Sequence, residues 1–168
     1  RGLTPMYVPP ISVVLAGDPA SAARARSISR RSGRGPMAAS FGIDTSILVR
    51  LATGDPPDGY ARCLRSLLKL VEGEGADVLA SNQVIGEAYI AIQHHYGVPK
   101  RESREALANV LQSGLVHPLG GASVLALLST ESGCGLFDRL IADEYRRAGV
   151  LTLTLDRKMA ALPEARLL

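Results

Sequence analysis

Four carboxylates stand where an α/β chain gathers its ligands. Asp44 closes the short apolar run Phe41-Gly42-Ile43, and Asp156 closes the run over residues 150–155. Glu87 falls in the early turns of a helix-patterned segment that follows a β-prone stretch at 77–81, and Asp138 opens another such segment at 137–149. In a parallel sheet, the carboxyl end of a strand and the amino end of the next helix share one edge, and ligands bind there. With neighbouring strands, all four acids are predicted on that edge. Carboxylates so gathered repel one another unless a hard divalent cation neutralises them, and Mg²⁺ or Mn²⁺ prefers carboxylate and water oxygens. An ion held this way keeps part of its water shell, acidifies one water and neutralises a phosphate oxygen during in-line attack. The chemistry these residue types predict is phosphodiester hydrolysis.

Each acid also has a structural role open to it. Asp44-Thr45-Ser46 is an ordinary helix N-cap, Asp138 suits a helix amino terminus by charge–dipole attraction, and Asp156 can cap the last turn. Glu87 resists such an account. Its neighbours Val84, Gly86, Ala88 and Ala91 predict a partly buried face, and no Lys or Arg lies on the same segment to pair with it. A buried carboxylate is costly unless paired or bound to a cation. Ser46 and Thr154 carry hydroxyls that either orient a carboxylate or water, or serve as cap and strand-face packing. Arg157 and Lys158 either contact substrate phosphate or remain solvated.

The elements that must position these residues follow from period and punctuation. Ile47, Leu48 and Leu51 predict a helix stopped by Gly54, and Leu64, Leu67, Leu68 and Val71 predict a second over residues 58–72. Residues 77–81 predict a strand. A helix then runs from 82 to 96, begun by Ser81 or Asn82 and stopped by Gly97. The next helix faces Ala106, Leu107, Val110 and Leu111 inward, and a brief strand ends near Pro118. Two more helices lead to residues 150–155, the clearest strand, then a helical turn at 156–162 and an edge strand at 165–168. Short strands alternating with helices predict an α/β domain with a mostly parallel sheet.

Charge divides the chain differently. Residues 1–40 hold six arginines against the single acid Asp18, a balance of +5; the remainder has thirteen bases against fifteen acids, or −2, within a total of +3. The sequence therefore predicts a flexible basic extension over 1–39 and a compact domain over 40–168. The extension is either an RNA-attracting arm or a mis-assigned piece. It contains a β-prone run at 11–16, and Met37 is a natural start for the compact domain. Its basic residues come after the apolar run, unlike a secretory signal.

Several function classes are disfavoured. Cys63 and Cys134 form no C-x-x-C, which argues against a disulfide scaffold or zinc site and fits a reducing, cytoplasmic setting. His94, His95 and His117 lack metal-ligand spacing. No phosphate-binding glycine loop or G-x-S-x-G elbow occurs. No apolar run reaches the roughly 18 residues of a membrane span. Aromatic residues are 4% of the chain and Trp is absent, so stacking on bases is not its main mode of recognition.

At the four acids the sequence resembles the PIN-domain ribonucleases, and within them the VapC toxins of toxin–antitoxin pairs. The resemblance covers about residues 41–168. Ile43-Asp44-Thr45-Ser46 looks like the opening strand end and first acid, with Ser46 at a position the family fills with Asn, Ser or Thr. Residues 82–98 are similar to the second-acid helix, with Glu87 as the acid; 137–143 resemble the third-acid motif, with Asp138; 151–162 look like the closing strand, with Thr154 and Asp156. The resemblance implies a PIN-like fold and a Mg²⁺- or Mn²⁺-dependent endoribonuclease that cuts tRNA or another structured RNA. It also implies a homodimer and neutralisation by a small antitoxin. The early-helix leucines would be either partner surface or core.

Two features depart from the family. Asp143-Glu144 replaces small apolar residues, and Asp143, five residues past Asp138, is expected either to face solvent or to alter the surroundings of the site. The basic extension has no counterpart. A PIN-like module that binds protein or RNA without cutting is the alternative; retention of all four acids favours a nuclease. A receiver- or phosphatase-type enzyme needs an acid pair at the first strand's end, where this chain has one.

Overall fold

Helix boundaries fall where the local chemistry puts them. The computed structural model describes residues 39–168. The β-prone run at 11–16, the Arg-rich stretch before residue 39 and Met37 lie outside the described residues. Within them the order is β1 (Ser40–Gly42), α1 (Thr45–Thr53), α2 (Pro57–Leu68, continued by a π-turn at Lys69–Gly73), β2 (Asp77–Ala80) and α3 (Asn82–Tyr96). Then come α4 (Lys100–Gln112), β3 (His117–Pro118), α5 (Ala122–Ser129), α6 (Leu136–Arg147), β4 (Thr152–Thr154), a 3-10 turn (Met159–Ala161) and β5 (Ala165–Leu167). The class is α/β, with short parallel sheets among six α-helices of the described residues.

Asp44 caps α1 by accepting the Ile47 amide, and Gly54, at φ 72°, closes it with a left-handed turn that a side chain would strain. Ser81, rather than Asn82, caps α3 by accepting the Val84 amide. Leu48, Leu51, Ile85, Ile92, Leu107, Leu111, Leu136 and Leu140 are fully buried together. Each such side chain contributes about 1.5–3 kcal/mol relative to exposure. Of the early-helix leucines, Leu67 is also core, and Leu64, Leu68 and Val71 pack half-buried against it. Core packing therefore accounts for Leu48, Leu51 and Leu67 and for the buried part of the other three. His94 and His95 are exposed, and both cysteines are free. No described helix is long and apolar enough to cross a membrane.

The sheet differs from the sequence expectation. β1, β2 and β3 form one parallel sheet, with Phe41 beside Val78 and Leu79 beside His117. β4 pairs in parallel with β5 in a second sheet. The strands that end near Asp44 and Asp156 are thus not hydrogen-bonded neighbours. The run at 150–155 also yields three residues of strand rather than six, and its alternation is inverted. Thr152 is buried, whereas Leu151, Leu153 and Leu155 are 65%, 61% and 80% exposed.

Candidate functional site

The end of β1 and the start of α1 place two carboxylates under local control. Ser46 Oγ donates to Asp44 Oδ1 at 2.8 Å, and the Ile47 amide donates to the same oxygen at 3.0 Å. The Ile47 amide above all, then the Ser46 hydroxyl, hold the Asp44 carboxyl below the usual carboxylate range. Between these residues, Thr45 Oγ1 reaches across to α3 and donates to Glu87 Oε2 at 2.6 Å. Gln83 donates to Glu87 Oε1 at 3.2 Å. The Thr45 hydroxyl, then the Gln83 amide, lower the Glu87 pKa. A residue that sequence reasoning treated only as part of a cap thus joins the first two acids.

Glu87 is exposed, which corrects the expectation of a partly buried face. The buried stripe of α3 runs through Ile85, Ala88, Tyr89 and Ile92, and Glu87 lies beside it on the helix surface. Its partners are a hydroxyl and an amide, so burial without partners no longer argues for a cation.

The other two acids cap helical turns. Asp138, half-buried in the first turn of α6, accepts the Gly135 amide at 3.1 Å through Oδ2. Asp156 Oδ1 accepts the amides of Lys158 at 2.6 Å and Met159 at 3.0 Å. Thr154 Oγ1 accepts the Asp156 amide at 3.0 Å, so it fixes that residue's backbone rather than its carboxylate. Both acids act on one thiol. Burial first pushes Cys134 up, Arg139 opposes this, and the charges of Asp138 and Asp156 raise it further. Arg157 and Lys158 are exposed beside Asp156.

Helix packing sets α6 against α3. Asn82 Nδ2 donates to the Leu140 carbonyl at 2.9 Å, and one turn along α3 Gly86 lies against the Phe137 ring. As α3 advances from 82 to 86, its contacts on α6 retreat from 140 to 137, so the helices are antiparallel here. That register lays the turn bearing Asp138 against the turn bearing Glu87. A shallow cavity of about 310 Å³, lined by Phe41, Ile43, Leu79, Ser81 and Leu119 among others, opens at the carboxyl ends of the first three strands.

The donor set suits a hard cation in type. Asp44, Asp138 and Asp156 each spend one carboxylate oxygen on the caps described, leaving the other without a protein donor among the described residues. Capping and ligation therefore use different atoms. Among the described residues, no three acid, histidine or thiol groups stand close enough together to hold one ion. The fit is one of donor chemistry and side-chain access.

The burial of two polar residues behind this surface was not read from the sequence. Asp143 is 4% exposed rather than solvent-facing, and Asn82 is 5% exposed. Asp143 pairs with Arg146 at 2.5 Å and Arg147 at 3.0 Å. A signal existed: Asp143 lies seven residues after Leu136 and three after Leu140, on the buried stripe of α6. Measured from Asp138, it lies off the face, and that comparison concealed it. Comparison with family models, with curated proteins and with solved structures returns no match to this chain.

Proposed function

We propose that this chain is a metal-dependent endoribonuclease with a PIN-like fold, its acidic site at the carboxyl edge of the strands. The observation that carries the reading is the link from Asp44 through Thr45 to Glu87, which sets two ionised carboxylates on adjacent elements at the end of the first sheet. The antiparallel register of α3 and α6 supports adding Asp138, and Asp156 is added on its place just past the end of β4. These four acids would hold a Mg²⁺ or Mn²⁺ ion, which would supply phosphate neutralisation and an acidified water. Ser46 and Thr45 orient their carboxylates, and the lowered pKa values keep Asp44 and Glu87 charged at neutral pH. Arg157 and Lys158, exposed beside Asp156, would meet substrate phosphates. With this reading go a structured RNA such as tRNA as substrate, a small antitoxin and a homodimer, in a cytoplasmic setting.

The test uses the purified chain, free of any antitoxin, with an RNA pool that includes tRNA and added Mn²⁺. Cleavage is expected, lost on chelation and lost in Asp44→Asn and Asp138→Asn variants whose circular dichroism matches the parent. Intact RNA in the presence of Mn²⁺ would overturn the proposal in favour of a non-cutting binding module. Undiminished cutting by either variant removes that residue from the site.

A further inference from the structure

The loop between α5 and α6 is held by side chains that none of the roles above uses. Arg104 of α4 and Arg139 of α6 are the buried cations of the described residues, 8% and 9% exposed, and neither pairs with a carboxylate among them. Both spend their donors on this loop. Arg104 Nη1 donates to the Thr130 carbonyl, Arg139 Nη2 to that of Ser132, and Arg139 Nε to that of Cys134 at 3.2 Å. Gly133, at φ 89°, brings the chain so close that a Cβ there would lie 3.0 Å from Arg139 Nη2. A guanidinium keeps its charge in a protein, so its burial is costly unless such acceptors surround it.

What Arg139 holds bears on two of the acids. The residue after Cys134 is Gly135, whose amide donates to Asp138 Oδ2 at 3.1 Å. The Cys134 side chain is buried in one small cluster with Ala142 of α6 and Met159. Met159 in turn is a residue whose amide donates to Asp156 Oδ1, at 3.0 Å. Cys134 therefore stands between the two turns: its peptide neighbour supports Asp138, and its side chain helps to seat the turn of Asp156.

We infer that Arg139 is a positioning residue, which grips the loop at Ser132 and Cys134 and so fixes both the Gly135 amide on Asp138 and the seat of Met159. The inference rests on the reading of Asp138 and Asp156 as metal-holding residues. The loop has little else to define it: Glu131, Ser132, Gly133 and Gly135 are exposed, and two of these four are glycines with wide backbone freedom. The Nε and Nη2 donors form a rigid fork that sets two carbonyls at one spacing, which a point-like ammonium does not do. Charge and grip have opposite consequences for a cation. Deleting a positive charge beside carboxylates would by itself tighten Mn²⁺ binding, whereas releasing the loop loosens it.

The test compares the full chain with Arg139→Met, which keeps an unbranched apolar stem and no donor. The readouts are calorimetric Mn²⁺ titration, kcat and KM for RNA cleavage, circular dichroism, and amide exchange of the metal-free proteins. The expected result is an unchanged fold, Mn²⁺ affinity about tenfold weaker, and kcat reduced with KM for RNA retained, as for partners that orient metal ligands. The Gly135 and Met159 amides should exchange faster while those of α3 do not. Mn²⁺ affinity tighter than the parent's, or within about twofold of it, overturns the role. Weaker affinity without faster exchange at either amide overturns it as well. Should Arg139→Met not fold, Arg139→Lys keeps the charge and the stem without the fork, and the same readouts and outcomes apply. Its failure to fold assigns Arg139 to stability alone and overturns positioning. A parent chain that takes up no Mn²⁺ refutes the reading of the site itself. A parent that binds and cuts beside an unaffected variant refutes the positioning role only.

Discussion

The contact between Gly86 and Phe137 predicts a substitution whose sign depends on its neighbour. A Cβ added at Gly86 would lie 2.5 Å from two carbons of the Phe137 ring, where ordinary contact begins at 3.4 Å. Alanine is nonetheless the better helix residue, by about 1 kcal/mol in a helix interior. Overpacking a well-fitted contact costs about 1–3 kcal/mol, and here the middle of that range, about 2 kcal/mol, applies. Phe137 is 37% exposed, and its ring has room to swing outward. Gly86→Ala is therefore expected to destabilise by about 1 kcal/mol, or about 4 °C in Tm for a domain near 130 residues. In a Phe137→Ala background the obstacle is gone, and the same Gly86→Ala change should stabilise by about 1 kcal/mol. The assay is urea unfolding of the parent, the two single variants and the double variant, read as midpoints at a common slope. The cycle should return a coupling of about 2 kcal/mol; a value below about 0.5 kcal/mol, the ordinary error of additivity, would refute the packing argument and with it the register of α3 on α6.

Asp44 both caps α1 and belongs to the proposed site, and two variants separate the roles. Asp44→Asn keeps an N-cap and should change stability by no more than a few tenths of a kcal/mol, whereas Asp44→Ala should cost about 1 kcal/mol; both should abolish cutting. Equal stabilities by urea unfolding would remove the cap. Asp44 and Asp143 titrate below their ordinary 3.8, and Glu87 below its ordinary 4.5. A depressed pKa in the folded state gives stability that is present above the unfolded value and lost as pH falls through the folded one. Urea midpoints should therefore hold at neutral pH and drop from about pH 4.5 downward, with a shallower drop in Asp143→Asn. A flat profile down to about pH 2.5 would contradict these assignments.

Much of the frame was legible because its determinants are local. Asp44 before α1 and Gly54 after it, Ser81 before α3 and Gly97 after it, and the stripe Leu107, Val110 and Leu111 each act within a turn or two of the chain. Sheet pairing is not local. Nothing in residues 150–155 states whether β4 joins β1 or β5, and the alternation there even reverses the usual meaning of its leucines. The same limit governs the acids. Capping by Asp44 could be read from spacing, but the Thr45 bridge to Glu87 spans 42 residues and has no sequence signature. Asn82 was legible as a cap candidate, whereas its burial against Leu140 depends on where α6 crosses.

The pairing of β4 with β5 gives the last nineteen residues a sheet of their own, joined to α6 by Met159 and Leu162 against Ala142 and Ile141. The Thr152 amide bonds to Glu164, the Leu168 amide to Thr154, and the 3-10 turn closes between them. Glu87 and Asp138 ride on helices sewn into the main core, but Asp156 rides on this unit. Units held by their own short-range bonds open on their own, at lower free energy than the whole domain, and hydrogen exchange detects them as separate steps. Amide protons from Thr152 onward should exchange ahead of those in α3 and α6. In the proposed site the fourth carboxylate would then leave the other three whenever the tail opens, giving the assembly of the acids its own equilibrium, distinct from that of the fold.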